Sequence, residues 1–411
     1  MNISKNSSKY PTNNHEQILC FVEDIEIEKD PEQEIIEPFD PTKIKIDARQ
    51  ITIDLVLNRI RYKEIELSPD FQRDSNIWNH KAKSRLIESM LIRIPLPAFY
   101  IDATDEDKWK VIDGQQRLMT IKDFVLGRDD SSDPDQKDKD IQKDKDIFKL
   151  SNLEFLTQLN GKSYDEIPRN YQRRIGETQI TMYLIEKGTP EKLKFNIFKR
   201  INTGGLPLSP QEIRHAINQG TSTKLLKKLA KTEEFKKATA NSVRDERMAA
   251  RETVLRFLAF KITPFSKYGA TDDTPEGATD LDTFLNNAMK AMNKMSQIDL
   301  DELEHNFLKA MSAAIDIFDN EAFRKRSDRN ARRMPFNKAL FESWAVNLSS
   351  LNYEQIEILK AKKDILMDEF IKLNGDRSFI DSISEGTGSI GRVKYRFSKI
   401  KELINKVLYN K

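Results

Sequence analysis

The stretch Trp109–Ile121, WKVIDGQQRLMTI, changes its periodicity in the middle. Its first half is apolar and β-branched and reads as a strand. Its second half places Leu118, Ile121 and, further on, Val125 at i, i+3 and i+7, the spacing of an amphipathic helix that Gly127 closes. The joint between them is Asp113-Gly114, followed at once by Gln115, Gln116 and Arg117. A strand-to-helix joint needs a turn residue and a cap. It does not need three large hydrogen-bonding side chains in the first helical turn. Glycine lets backbone approach a ligand closely, and the helix start aims unsatisfied amides and a positive dipole at the same spot, which suits phosphate. Asp113 can cap the helix or hold Mg²⁺. Arg117 lies nearer the apolar stripe than Gln116, so its guanidinium is expected close to the protein body, where it wants an anionic partner. Gln115 and Gln116 can each donate and accept, as groups that orient water or read a base do. Each residue also has an ordinary structural role: Asp113 as N-cap, Arg117 paired with a carboxylate, the glutamines as helix formers. The joint alone leaves both readings open.

Outward from the joint, TIDLVLNRI (from Thr52) reads as a short helix, EIEL (Glu64–Leu67) as a short strand, and HKAKSRLIESMLIR as a helix ending before Pro95. PAFYID and TQITMYLIE read as further strands. TPEKLKFNIFKRIN is expected to be a helix with Thr189 as N-cap and Pro190 at its first position. SPQEIRHAI restarts a helix with Ser209 and Glu212 at capping-box spacing. Beyond about residue 225 strand signals nearly vanish, and RETVLRFLAFKI, LDTFLNNAMKAMNKM, EHNFLKAMSAAIDIF and ALFESWAVNL point to an all-helical half. The expected organisation is an acidic, disordered arm over residues 1–45, an α+β domain over 46–225 and a helical domain over 226–411. Within the arm, eight of the fifteen residues Glu23–Glu37 are acidic, which favours solvation over packing. A charged linker over residues 128–147 interrupts the α+β domain and is assigned no chemistry.

Composition bounds the partners only loosely. The 411 residues hold 68 basic and 66 acidic side chains, so net charge neither indicates nor excludes a nucleic-acid partner. The single cysteine, Cys20, excludes an intramolecular disulfide and suggests a reducing compartment. No run approaches a membrane span and the polar start lacks a secretion signal, so a cytoplasmic location without membrane contact is expected.

The segments PDFQRDSNIW, IPLPAFYI, VIDGQQRLMTI and FKRINTGGLPLSPQEIR, in that order, closely resemble the family named after the N-terminal part of GmrSD-type modification-dependent restriction enzymes. The distinctive motifs cover roughly residues 50–220. MAARETVLRFLAF and MPFNKALFESW extend the likeness loosely into the helical half. The resemblance implies a ParB/sulfiredoxin-like fold and a domain that binds, and often hydrolyses, nucleoside triphosphates in bacterial defence against phage or modified DNA. Carried over, the signature falls on Asp113, Gly114, Gln115, Gln116 and Arg117, with Gln72 and Arg73 facing it and Asn202 and Thr203 contributing from a glycine loop. Glu212 and Arg214 are weaker candidates, since the capping box already explains Glu212. Larger relatives carry a C-terminal HNH nuclease domain. Here the histidines, His15, His80, His215 and His305, are scattered, so that activity is not expected of this chain.

Two other stretches invite a function. GTGSIG (Gly386–Gly391) spells a dinucleotide fingerprint but leaves no room for a following βαβ unit, and is expected to be a flexible loop, with Arg392 as its one route to phosphate. RKRSDRNARR (Arg324–Arg333) holds six basic residues and one acid. If helical, it puts Lys325, Arg329, Arg332 and Arg333 on one face, a self-repulsive cluster that suits a polyanion such as DNA. The leading expectation is therefore an NTPase using Mg²⁺ in a defence system. The alternatives are a non-catalytic DNA-binding module and a regulatory subunit of a separate nuclease.

Overall fold

The computed structural model describes residues 25–26, 45–67, 78–127, 147–189, 209–269 and 280–409. They fall into two compact units, Ile35–Gln219 and Gly220–Lys411 together with Met1–Glu34.

The first unit is α+β. Its elements are β1 (Ile46–Thr52), α1 (Ile53–Arg61), β2 (Ile65–Glu66), α2 (His80–Leu91), β3 (Phe99–Ala103), β4 (Trp109–Asp113), α3 (Gln115–Val125), α4 (Arg169–Glu177), β5 (Gln179–Glu186) and α5 (Pro210–Ile217). The five strands form one mixed sheet in the order β1-β5-β3-β4-β2. β1 and β5, and β3 and β4, are antiparallel, whereas β3 and β5, and β2 and β4, run parallel.

One face of this sheet is dry. Phe99, Ile101, Trp109, Val111, Ile180, Met182 and Leu184 alternate along the strands onto it, and they share a core with Val56 and Leu57 of α1, Ile87 and Met90 of α2, Leu118 and Ile121 of α3 and Ile175 of α4. The opposite face carries Ala48, Gln50, Thr181, Tyr183, Tyr100, Asp102 and Lys110, fixed by the strand register. The Gln50 amide donates to Thr181 Oγ1 across it at 2.7 Å. Two elements escaped the sequence reading. β1 has an outward face of short or polar residues, and α4 (RNYQRRIGE) is so polar that little beyond Ile175 marks its inner side. Thr189, expected to cap a helix, binds the backbone of Lys45: its Oγ1 accepts from Lys45 N at 3.1 Å. The helix it was to cap lies outside the described residues.

The second unit is helical: α6 (Thr221–Ala230), α7 (Glu233–Ala238), α8 (Ala249–Ile262), α9 (Leu281–Met292), α10 (Gln297–Phe318), α11 (Lys338–Ser349), α12 (Tyr353–Ala361), α13 (Lys363–Asn374), α14 (Arg377–Ser384) and α15 (Ile390–Tyr409). α8 and α11 are buried nearly all round and form its centre, with Phe257, Phe307, Phe341 and Trp344 in the core. Charge is buried there too, where Arg396 and Arg256 both pair with Glu342. The expected flexible loop at Gly386–Gly391 is tied down instead. Its Thr387 and Gly388 carbonyls accept from Arg396 Nη1 at 2.7 Å and from the Tyr268 hydroxyl at 2.7 Å. Arg392 donates to the Glu385 carbonyl rather than standing ready for phosphate.

Candidate functional site

The joint between β4 and α3 is built on a register shift. Asp102 pairs with Lys110 and Ile101 with Val111, but Tyr100 pairs with Asp113, so Ile112 is an extra residue in β4. In a strand, side chains alternate between faces, so an unbroken register would send Asp113 toward the core. The bulge turns it onto the polar face beside Tyr100. Its side chain stays about a third exposed, at 36 %.

Gly114 then turns the chain with φ +92°, and a Cβ at this position would collide with the Phe99 ring. A residue with a side chain is excluded twice, by conformation and by space. Gly114 is the N-cap of α3 and has no side chain with which to cap the first turn. Asp113 does not cap the helix, which is one of the two roles the sequence left open. It binds Arg117 instead.

Arg117 is the brace of the joint. Its Nη2 donates to Asp113 Oδ2 at 3.0 Å and to the Ala98 carbonyl at 3.1 Å, and Nη1 donates to the Pro97 carbonyl. Its guanidinium lies over the Phe99 ring, 4.3 Å from the centroid. The side chain is only 12 % exposed. Burial lowers its pKa, opposed by Asp113 and Tyr100, yet an arginine stays charged throughout. The anionic partner it was expected to need is thus found within the protein. Gln115 is buried, and Gln116 is partly exposed at the outer side of the first turn.

Sequence reasoning passed over the neighbours of Asp113 on the polar face. Tyr100 and Tyr183 are register partners on adjacent strands, and their rings stack at 5.0 Å with planes 16° apart. Burial, then Tyr183 and Asp113, raise the Tyr100 pKa against the pull of Arg117. In FYID and TMYLI both tyrosines alternate with core residues, so a polar-face position was legible. Their meeting needed the strand pairing.

The other expected site residues divide. Gln72, Arg73, Asn202 and Thr203 lie outside the described residues. Glu212 completes a capping box with Ser209, its carboxylate accepting from Ser209 N at 2.5 Å while Ser209 Oγ accepts from Glu212 N at 3.2 Å. Arg214 is buried, with its Nε donating to Gln211 Oε1 at 2.8 Å in the same helix. Asp113 gathers no metal cluster around it, since among the described residues no three His, Cys, Asp or Glu side chains converge.

The basic segment Arg324–Arg333 is not helical, so the shared face expected of Lys325, Arg329, Arg332 and Arg333 does not form. Its self-repulsion is relieved internally. Lys325 pairs with Glu26, Arg326 with Glu321, and Arg329 binds Asp368 through two bonds of 2.7 and 2.8 Å. Arg324 is buried on Ser242 and backbone carbonyls. Arg333 donates to Ser242 Oγ at 3.1 Å, and Arg332 is exposed. The acidic arm contributes directly: Ile25 bridges Phe336, and Glu26 also accepts from Asn337 Nδ2 at 3.0 Å. At this contact Glu26 packs against the basic segment, where the composition of the arm had favoured solvation over packing.

No helix among the described residues is long and apolar enough to cross a membrane. No curated protein matches the chain. Residues 53–218, which take in α1 through α5 and the whole of the β4–α3 joint, match the model of the GmrSD restriction endonuclease N-terminal domain. Over these residues the α+β unit is similar to that restriction-endonuclease domain.

Proposed function

We propose that the α+β unit is a ParB/sulfiredoxin-like nucleotide-binding domain that takes a nucleoside triphosphate at the β4–α3 joint and hydrolyses it as part of an anti-phage or modified-DNA defence system. The observation that carries the reading is the combination of an α3 N-terminus opened by Gly114, which brings no capping side chain, with an acidic side chain turned onto the polar sheet face beside it. Backbone amides and the helix dipole favour phosphate there. Arg117 holds the Asp113 carboxylate through Oδ2. A single carboxylate with phosphate oxygens and water is an ordinary Mg²⁺ environment, so the residues present fit that ion, with Asp113 as the protein ligand. When bound, the ion would neutralise charge developing on the phosphates. Gln116, partly exposed in the first turn, is assigned the orienting of water. Gln115 is buried, which suits holding the joint better than meeting solvent. Gln72, Arg73, Asn202 and Thr203 are proposed as further phosphate contacts. The helical unit is proposed to engage DNA or a separate effector nuclease.

Calorimetric titration of the full chain with ATP and GTP, with and without Mg²⁺, tests the reading together with phosphate release. Asp113→Ala is expected to weaken Mg²⁺-nucleotide binding roughly tenfold to a hundredfold, the loss of a contact to a charged group. Wild-type affinity in that variant would move the site elsewhere.

A further inference from the structure

From the sheet face beside Asp113, we infer that the stacked rings of Tyr100 and Tyr183 are the platform for the base of the bound nucleotide, with Ala48 leaving the slot in which the base lies. The inference rests on the nucleotide reading above and adds the part of the ligand that phosphate chemistry does not address.

The register sets four side chains in a row across three pairings: Ala48 opposite Tyr183, Tyr183 opposite Tyr100, and Tyr100 opposite Asp113. Adjacent strands lie roughly 4.8 Å apart, and the ring centroids are 5.0 Å apart, so the rings stack across neighbouring strands. Tyr100 occupies one face of Tyr183, which leaves the other face on the β1 side. There the row ends in Ala48, which is exposed and has the smallest side chain of the four. Ala48 sits on an edge strand, so nothing further in the sheet closes the slot. A planar ring placed over Ala48 continues the stack and gains the aromatic contact that nucleobases make with tyrosine whatever their identity.

The row also has direction. Its Asp113 end adjoins the start of α3, whose Gly114 N-cap brings no capping side chain and where phosphate is favoured, and at its Ala48 end the small side chain is exposed. Base and phosphates of one nucleotide are thereby given opposite ends of a single row. The alternation of Tyr100 and Tyr183 with core residues holds both rings on this face, and their stacking limits ring freedom before any ligand arrives, which lowers the ordering cost of binding. Stacking alone discriminates weakly between bases, so ATP and GTP are expected to bind within a few-fold of each other unless hydrogen bonds from elsewhere select one.

The test compares ATP, GTP and inorganic triphosphate as titrants of the full chain, with Tyr183→Ala, Tyr183→Phe and Ala48→Phe. Tyr183→Ala is expected to weaken ATP and GTP binding roughly fivefold to a hundredfold, the range for loss of one base–aromatic stack. It should leave inorganic triphosphate unchanged, and Tyr183→Phe should restore the nucleotides. Ala48→Phe fills the slot on an exposed edge, where misfolding is not at issue, and is expected to weaken the nucleotides but not the triphosphate. If ATP and GTP bind wild type and both Tyr183→Ala and Ala48→Phe equally well, the platform is overturned while the phosphate site stands. If wild type binds neither nucleotide nor triphosphate, the nucleotide reading falls and the platform with it.

Discussion

Arg117 and Asp113 stand one helical turn apart and bind each other at 3.0 Å across the point where β4 becomes α3. The same guanidinium holds the carbonyls of Pro97 and Ala98, at the entrance to β3. One side chain therefore ties the start of β3, the end of β4 and the first turn of α3 together. In the proposed site Arg117 would therefore act by positioning Asp113.

Arg117→Ala is accordingly expected to cost stability as well as binding. It strands two carbonyls and removes the partner of Asp113, a loss on the order of 1.5–3 kcal/mol for hydrogen bonds to a charged group. Urea denaturation followed by circular dichroism would show the midpoint falling further than in Asp113→Ala. An unchanged midpoint with nucleotide binding lost would return the guanidinium to the ligand.

Gly114→Ala should destabilise the α+β unit more than a surface glycine change. The left-handed conformation costs roughly 1–2 kcal/mol for a residue with a Cβ. Overpacking against Phe99 adds roughly 1–3 kcal/mol. Gly127, also at positive φ but with open space around it, is the control, and Gly127→Ala should show only the conformational part. Equal melting temperatures for the two variants would contradict the close approach to Phe99.

Glu88 gives the α+β unit an acid-sensitive clasp. Burial pushes its carboxyl up, but bonds from the amides of Glu154, Leu156 and Phe155 outweigh that and hold it below its ordinary 4.5. A carboxylate with a depressed folded pKa contributes stability fully above its unfolded value and loses it as pH falls through the folded value. Glu88→Gln should therefore be less stable than wild type at neutral pH, with the gap narrowing below about pH 4.5. A gap that stays constant down to about pH 3 would show that the clasp does not titrate.

In the basic segment the pairing pattern predicts unequal roles. Arg329 is already held by Asp364 and Asp368, so Arg329→Ala should leave the salt dependence of duplex binding unchanged. If this segment meets DNA, Arg332→Ala should flatten the log–log salt slope by roughly 0.9, one phosphate contact. Filter-binding across a salt series separates them. A flatter slope for Arg329→Ala would mean that its ion pairs open on DNA.

Purified chain with Mg²⁺ and ATP or GTP is expected not to linearise plasmid DNA. Phosphodiester cleavage needs a water-activating base and leaving-group stabilisation in one compact site, and glutamines beside a lone Asp113 are poor bases. Efficient linearisation lost in Asp113→Ala would make the β4–α3 joint itself a nuclease centre.

The sequence by itself determined the elements around the joint and their chemistry. Period-two alternation marked β3, β4 and β5, period 3.6 marked α2 and α3, and the Ser209–Glu212 spacing forecast a capping box that formed. These are local patterns, set by backbone geometry within a few residues. Tertiary structure alone decided what the polar residues face. The extra residue Ile112, which turns Asp113 outward, is invisible until β3 supplies a register to measure it against. The same pairing brings together Tyr100 and Tyr183, which lie far apart in the chain. In the basic segment, composition indicated repulsion between like charges. The fold answered it with Glu26, Asp364 and Asp368, drawn from distant parts of the sequence, because Coulomb energy depends on separation in space and not along the chain.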